Sequence, residues 1–151
     1  ILVASSFGQA AGMYYYEFTN GNTTDQFVVS HTNSGAVAVT LYAVYVPNDQ
    51  SISVVDNKSA TVAAATSVQT PSISGGEILV GCAQVRNGNA APTGTSLTGP
   101  GNFDRKFAGD ASGGDENHVS GYATDTSGFI TVTDATNTQE KVIVGASFNF
   151  T

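Results

Sequence analysis

Two histidines (His31 and His118), one cysteine (Cys82) and 12 Asp and Glu residues are the first places to look for chemistry in this 151-residue chain. A Ser-His-Asp triad needs its serine on a sharp elbow after a strand. The nearest string, Gly94-Thr95-Ser96-Leu97-Thr98-Gly99, has one residue too many for G-x-S-x-G and follows no strong strand. Paired carboxylates could cleave glycosides across a cleft, yet Asp104, Asp110, Asp115, Glu116, Asp125 and Asp134 mostly have Gly, Ser or Thr neighbours, as turn and solvated residues do. Asp110, Asp115, Glu116 and Asn117 crowd one glycine-containing loop as calcium ligands would, but no D-x-[DN]-x-[DN]-G pattern occurs, so the loop reads as solvated. One cysteine forms neither an internal disulfide nor a Cys-based zinc site. Cys82 alternates with Ile78 and Val80, which predicts a buried, inert thiol. The histidines read as strand residues satisfied by local hydrogen bonds. No catalytic residue, cofactor site or metal site is expected.

Association is better represented than catalysis. In Tyr14-Tyr15-Tyr16, Tyr14 and Tyr16 share one face of an extended strand and Tyr15 takes the other. Exposed tyrosines anchor protein interfaces or stack on sugars, and the lack of Trp weakens the sugar reading. The run Ala36–Val46 is apolar on both faces, with Tyr42 and Val44 on the side opposite Val37, Val39 and Leu41. Such a strand needs cover on both sides and predicts a homo-oligomer. Ile1, Leu2 and Val3 open a segment, residues 1–11, with no evident hairpin. It reads either as an arm added to a neighbouring subunit or as an edge strand of its own sheet.

The elements that position these residues are strands. Period 2 dominates, and period 3.6 is nearly absent. Strong alternation runs through residues 36–46, Glu77–Arg86 and Glu140–Phe150. Weaker strands read at Met13–Phe18, Gln26–His31, Ser51–Val55, Thr61–Thr70, Phe103–Phe107, His118–Thr124 and Phe129–Thr133. Asn-Gly, Asn-Ser-Gly, Pro-Asn-Asp, Gly-Gly and Ser-Gly turns separate them. The one helical candidate, Ala60–Thr66, has β-branched residues and no good cap. Ala90–Asn102, with two Pro and three Gly, reads as a long irregular loop. Short strands at this spacing predict a single all-β domain over 1–151, an antiparallel β-sandwich.

Composition bounds the partners. Only 11% of residues are charged, against roughly 25% in a typical domain, so Ser, Thr, Asn, Gln and Gly must build the surface. With 5 basic residues and a net charge of -7 the chain has no phosphate-tracking face, which argues against nucleic acid. No apolar run approaches the roughly 20 residues of a membrane helix, and no membrane partner is expected.

Two stretches carry a resemblance. Thr24 to Tyr42, in which a strand ends in Asn33-Ser34-Gly35 and leads into Val39-Thr40-Leu41-Tyr42, resembles a pattern common in tailed-phage virion proteins. Thr70-Pro71-Ser72-Ile73-Ser74-Gly75-Gly76-Glu77-Ile78-Leu79-Val80 is similar to the opening of jelly-roll domains on phage and bacterial surface proteins, with Glu77 where Asp is usual. These are strand-and-turn motifs, and no catalytic residue comes with them. The resemblance implies a jelly-roll-like, non-enzymatic structural protein on a phage particle: a capsid-decoration, head-fibre or tail-associated subunit. It would pair with itself, as a trimer in the commonest arrangement, and with other virion proteins. The expected assembly contacts are Ile1, Leu2, Val3, Tyr14, Tyr16, Tyr42 and Val44. The alternatives are a secreted subunit of a bacterial or archaeal surface filament or adhesin, and a sugar-binding module.

Overall fold

The computed structural model describes residues 2–6, 9–14, 42, 50–86, 95–110 and 116–151. Ten strands are present among them: β1 (Leu2–Ser6), β2 (Gln9–Met13), β3 (Ile52–Val62), β4 (Ser67–Gln69), β5 (Ile73–Arg86), β6 (Thr95–Thr98), β7 (Asp104–Asp110), β8 (Glu116–Gly128), β9 (Thr131–Asp134) and β10 (Lys141–Phe150). They form a five-stranded sheet ordered β3-β10-β5-β8-β7, a three-stranded sheet β4-β9-β6 and the hairpin β1-β2, all antiparallel. The all-β antiparallel sandwich read from the sequence is therefore the observed fold. The alternating runs at 77–86 and 140–150 lie in β5 and β10, two of the three inner strands of the large sheet.

The five-stranded sheet is covered on both faces. On one, Leu79, Ala83 and Val85 of β5, Val119 of β8 and Ile143 of β10 meet Leu97 and Val132 of the small sheet, together with Ile73 and Ile130. On the other, Val142 and Val144 pack with Ala11 of β2. Residues 141–148 of β10 are accordingly all buried. Burying an aliphatic side chain of this size contributes roughly 1.5–3 kcal/mol, so both faces of β10 contribute to the core.

The close approach of the two sheets has a backbone cause. Pairing aligns Gly145 of β10, Gly81 of β5 and Gly121 of β8 in one row across three strands. A Cβ added at Gly81 would lie 2.6 Å from Ile130 Cδ1, and one at Gly145 would lie 2.6 Å from Ile73 Cδ1 and 2.7 Å from Ile130 Cδ1. Ile73 and Ile130 therefore seat directly on bare backbone. Near Gly76 the start of β5 crosses the end of β10, where a Cβ would meet the Phe148 carbonyl oxygen at 2.7 Å. Ser147 donates to the Ser74 carbonyl at 2.7 Å and fixes that crossing.

Two local expectations need correction, at Ala90–Asn102 and at the chain start, while the doubt over a helix at Ala60–Thr66 is resolved as the all-β reading has it. The stretch Ala90–Asn102 is not wholly irregular, because Thr95–Thr98 forms β6 and pairs with β9. Its Leu97 is buried in the core, and Thr95 donates to the Asp134 carboxylate at 3.1 Å. Ala60–Thr66 holds no helix, since β3 runs on to Val62 and pairs there with Lys141. Residues 1–11 do enter a hairpin, which was not evident from the sequence: β1 pairs with β2 from Leu2↔Met13 to Ser6↔Gln9, so Leu2–Ser6 is an edge strand of the chain's own two-stranded sheet. The strand read at 26–31 and all of 36–46 except Tyr42 lie outside the described residues.

Gly81→Ala should overpack the site beneath Ile130 and destabilise the fold by about 1–3 kcal/mol in urea unfolding. Ile130→Val removes the clashing Cδ1, so the double variant should recover part of that loss. Simple additivity of the two changes would show that Ile130 does not sit on the glycine row.

Candidate functional site

Of the carboxylates singled out in the sequence, Asp125 and Asp134 are the two whose side chains the structure describes. Asp125 is exposed, with a positive φ of 50°. Asp134, expected among solvated residues, is instead fully buried. It accepts from the Thr95 hydroxyl and, at 3.3 Å, from the Thr136 backbone N–H. Its own backbone N–H donates to the Thr66 carbonyl at 2.8 Å, tying β9 to the β3–β4 connection. Asp104, Asp110 and Glu116 lie on β7 and β8, whereas Asp115 and His31 lie outside the described residues. Among the described residues no group of three or more His, Cys, Asp or Glu could hold a metal ion.

Lys141 is the main buried polar group. It has no exposed surface, and its ammonium donates to the carbonyls of Ala65 (2.7 Å), Asn137 (2.8 Å) and Gln139 (3.0 Å). All three donors of the ammonium are thereby used, joining the β3–β4 connection to the β9–β10 connection. Burial pushes the ammonium below its usual range, and the Asp134 carboxylate partly opposes that. Next to it, Glu140 is 3% exposed and neither carboxylate oxygen accepts a hydrogen bond; Arg86 Nη1 stands 3.9 Å away.

His118 is half-buried on β8, opposite Gln84 of β5 and Gly109 of β7, and burial lowers its pKa. Cys82 lies on the same face as Val144, half-buried and packed against the Ala11 cluster. Its thiol points at the Gly12 carbonyl at 4.0 Å, and burial pushes it up to about 12, far from the thiolate that nucleophilic chemistry requires.

The expected assembly residues fall into three groups. Leu2 and Val3 are on β1 and Tyr14 immediately follows β2, 70% exposed. Tyr42 is turned inward: its hydroxyl donates to Ser120 Oγ at 2.9 Å and its ring meets Tyr122 edge-on, centroids 5.7 Å apart. It is therefore an internal contact on the outer face of β8, as its spacing alone could not tell. Ile1, Tyr16 and Val44 lie outside the described residues. An open groove of about 330 Å³ at one end of the sandwich is lined by Gly75, Gly76, Glu77, Asp125, Thr126, Ser127 and Asn149. Two of its polar groups serve the backbone, since Glu77 accepts from the Phe150 N–H and Asn149 Oδ1 accepts from the Glu77 N–H.

No protein-family model, curated protein or solved structure matches this chain.

Two outcomes follow from this arrangement. Asp56 accepts from Lys58 Nζ at 2.7 Å, Ser74 N–H at 2.8 Å and Asn57 N–H at 2.8 Å, which together hold its carboxyl at about 2. An unfolded Asp titrates near ~3.9, so the stabilisation from Asp56 is present above that pH and is lost as pH falls toward 2. Asp56→Asn should flatten the acid limb of a stability-versus-pH curve over that window, and an unchanged limb would exclude the linkage. Deleting residues 1–13 uncovers Val142, Val144 and Cys82 and should lower Tm by at least about 5 °C. Unaltered melting would place the hairpin outside the folded core.

Proposed function

We propose that this chain is a non-enzymatic structural protein of a virus particle's outer surface, a jelly-roll-like capsid-decoration, head-fibre or tail-associated subunit of a tailed phage that works as a homo-oligomer. The observation that carries the reading is the use to which its polar chemistry is put. Lys141, Asp134 and Asp56 each hold a strand connection or crossing in place, and Cys82 is a half-buried thiol packed against the hairpin, its pKa pushed up to about 12. The remaining surface is built from Ser, Thr, Asn and Gln with only 5 Lys and Arg in the chain. A surface poor in lysine has less side-chain entropy to lose against a permanent neighbour. Tyr14, exposed beside the hairpin, provides the aromatic anchor that protein interfaces favour. The resemblance of residues 24–42 and 70–80 to phage surface domains supplies the location.

Light scattering on the folded chain at micromolar concentration should report an oligomer, and Tyr14→Ala should weaken it about fivefold or more. An antibody raised against the protein should decorate intact virus particles in electron micrographs. A monomer, or label confined to cell-surface filaments, would overturn the proposal.

A further inference from the structure

We propose that the outer face of the β4-β9-β6 sheet is a binding site for a neutral polysaccharide. The face is a two-row array set by strand register. Gln69, Thr131 and Thr98 stand abreast in one row, and Ser67, Thr133 and Ser96 in the next. Their inward neighbours Val68, Val132 and Leu97 pack into the core. Sheet geometry spaces the residues about 4.8 Å across the strands and about 6.7 Å along them. None of the six is charged, in a chain whose net charge is -7. An ionic ligand finds no counter-charge on this surface, whereas a neutral polyol needs none.

The hydrogen-bond pattern adds direction. Ser96 Oγ donates to the Thr133 carbonyl at 3.4 Å and Thr98 Oγ1 to the Thr131 carbonyl at 3.5 Å. Their protons are thus turned toward the sheet, leaving oxygen lone pairs as acceptors for sugar hydroxyls. Gln69 Nε2 donates to Thr131 Oγ1 at 3.0 Å, which leaves the Thr131 hydroxyl proton available as a donor. Acceptors and a donor held in place by the sheet lose little entropy on binding.

Phe129 completes the site. It lies just ahead of β9, two residues before Thr131, and at 50% exposure it is one of the few large apolar side chains open to solvent among the described residues. The adjacent Ile130 is wholly buried, so the chain turns an aliphatic residue in and an aromatic one out at this position. An aromatic ring beside an uncharged hydroxyl array offers an apolar platform for the C–H face of a sugar ring and polar partners for its edge. This site is separate from Tyr14, and the inference does not depend on where the protein resides.

Native gel electrophoresis in gels containing hydroxyethyl cellulose, dextran or laminarin tests the site, since the net charge of -7 carries the chain toward the anode. The intact protein should be retarded by at least one of these polymers relative to a polymer-free gel. Phe129→Ala should weaken that interaction at least about tenfold, and Phe129→Trp, which keeps a ring, should retain it. Circular dichroism melts of both variants should match the parent, because Phe129 is outside the core. Absence of retardation in all three polymers, or full retardation of Phe129→Ala, would overturn the proposal.

Discussion

The architecture depends on the contact between Ile130 and Ile73 above and the bare backbone of Gly81 and Gly145 below. Sheets facing each other through side chains stand about 10 Å apart. Here the glycine row opens a trough across β10, β5 and β8, and two isoleucines descend into it. The contact lies at the middle of the large sheet, where Leu79, Ala83 and Ile143 complete the same cluster. A small three-stranded sheet can therefore close one face of a five-stranded one, although β4 and β9 contribute only three and four residues.

With that face closed, the polar groups at its margins have structural work. Lys141 and Asp134 lie at one end, where short connections turn between the sheets, and they satisfy carbonyls and hydroxyls that burial would otherwise leave without partners. At the opposite end, where β5 crosses over β10, Asp56 accepts from the Ser74 N–H and Ser147 donates to the Ser74 carbonyl. The second face is closed by the chain's own beginning. Ala11 and Met13 of β2 lie over β10 and β5, and Tyr42 lies over β8. Among the described residues, Lys141, Asp134 and Asp56 are thus committed to the connections and crossings of the fold.

Strand content was legible because alternation is a local property. The run at 140–150 appears in the sequence with nearly the bounds of β10, and 77–86 marks the C-terminal ten residues of β5, which starts earlier, at Ile73. Ile78, Val80 and Cys82 were likewise correctly placed on one face. Segments of weak alternation failed, and for an identifiable reason. Thr95–Thr98 carries a single apolar residue, Leu97, between hydroxyl side chains, and becomes a strand only because β9 offers it a ladder. The hairpin at the chain start was missed because Gln9–Met13 has no β-branched residue to signal it. Phe129 attracted no notice because exposure cannot be read from residue type.

What the sequence determined by itself was the class of structure: β-branched alternation, frequent turn chemistry, a single domain's length and a weakly charged, acidic surface. Those follow from side-chain periodicity and composition, which need no knowledge of distant neighbours. Tertiary structure decided the rest. It chose which strands became neighbours, buried Lys141 and Asp134 where their type predicted exposure, turned Tyr42 inward and left Phe129 outside. It also aligned three glycines separated by 64 positions of chain between Gly81 and Gly145 into one row. The reason is that a residue's burial and partners depend on strand register, and register is set by contacts between segments far apart in the chain.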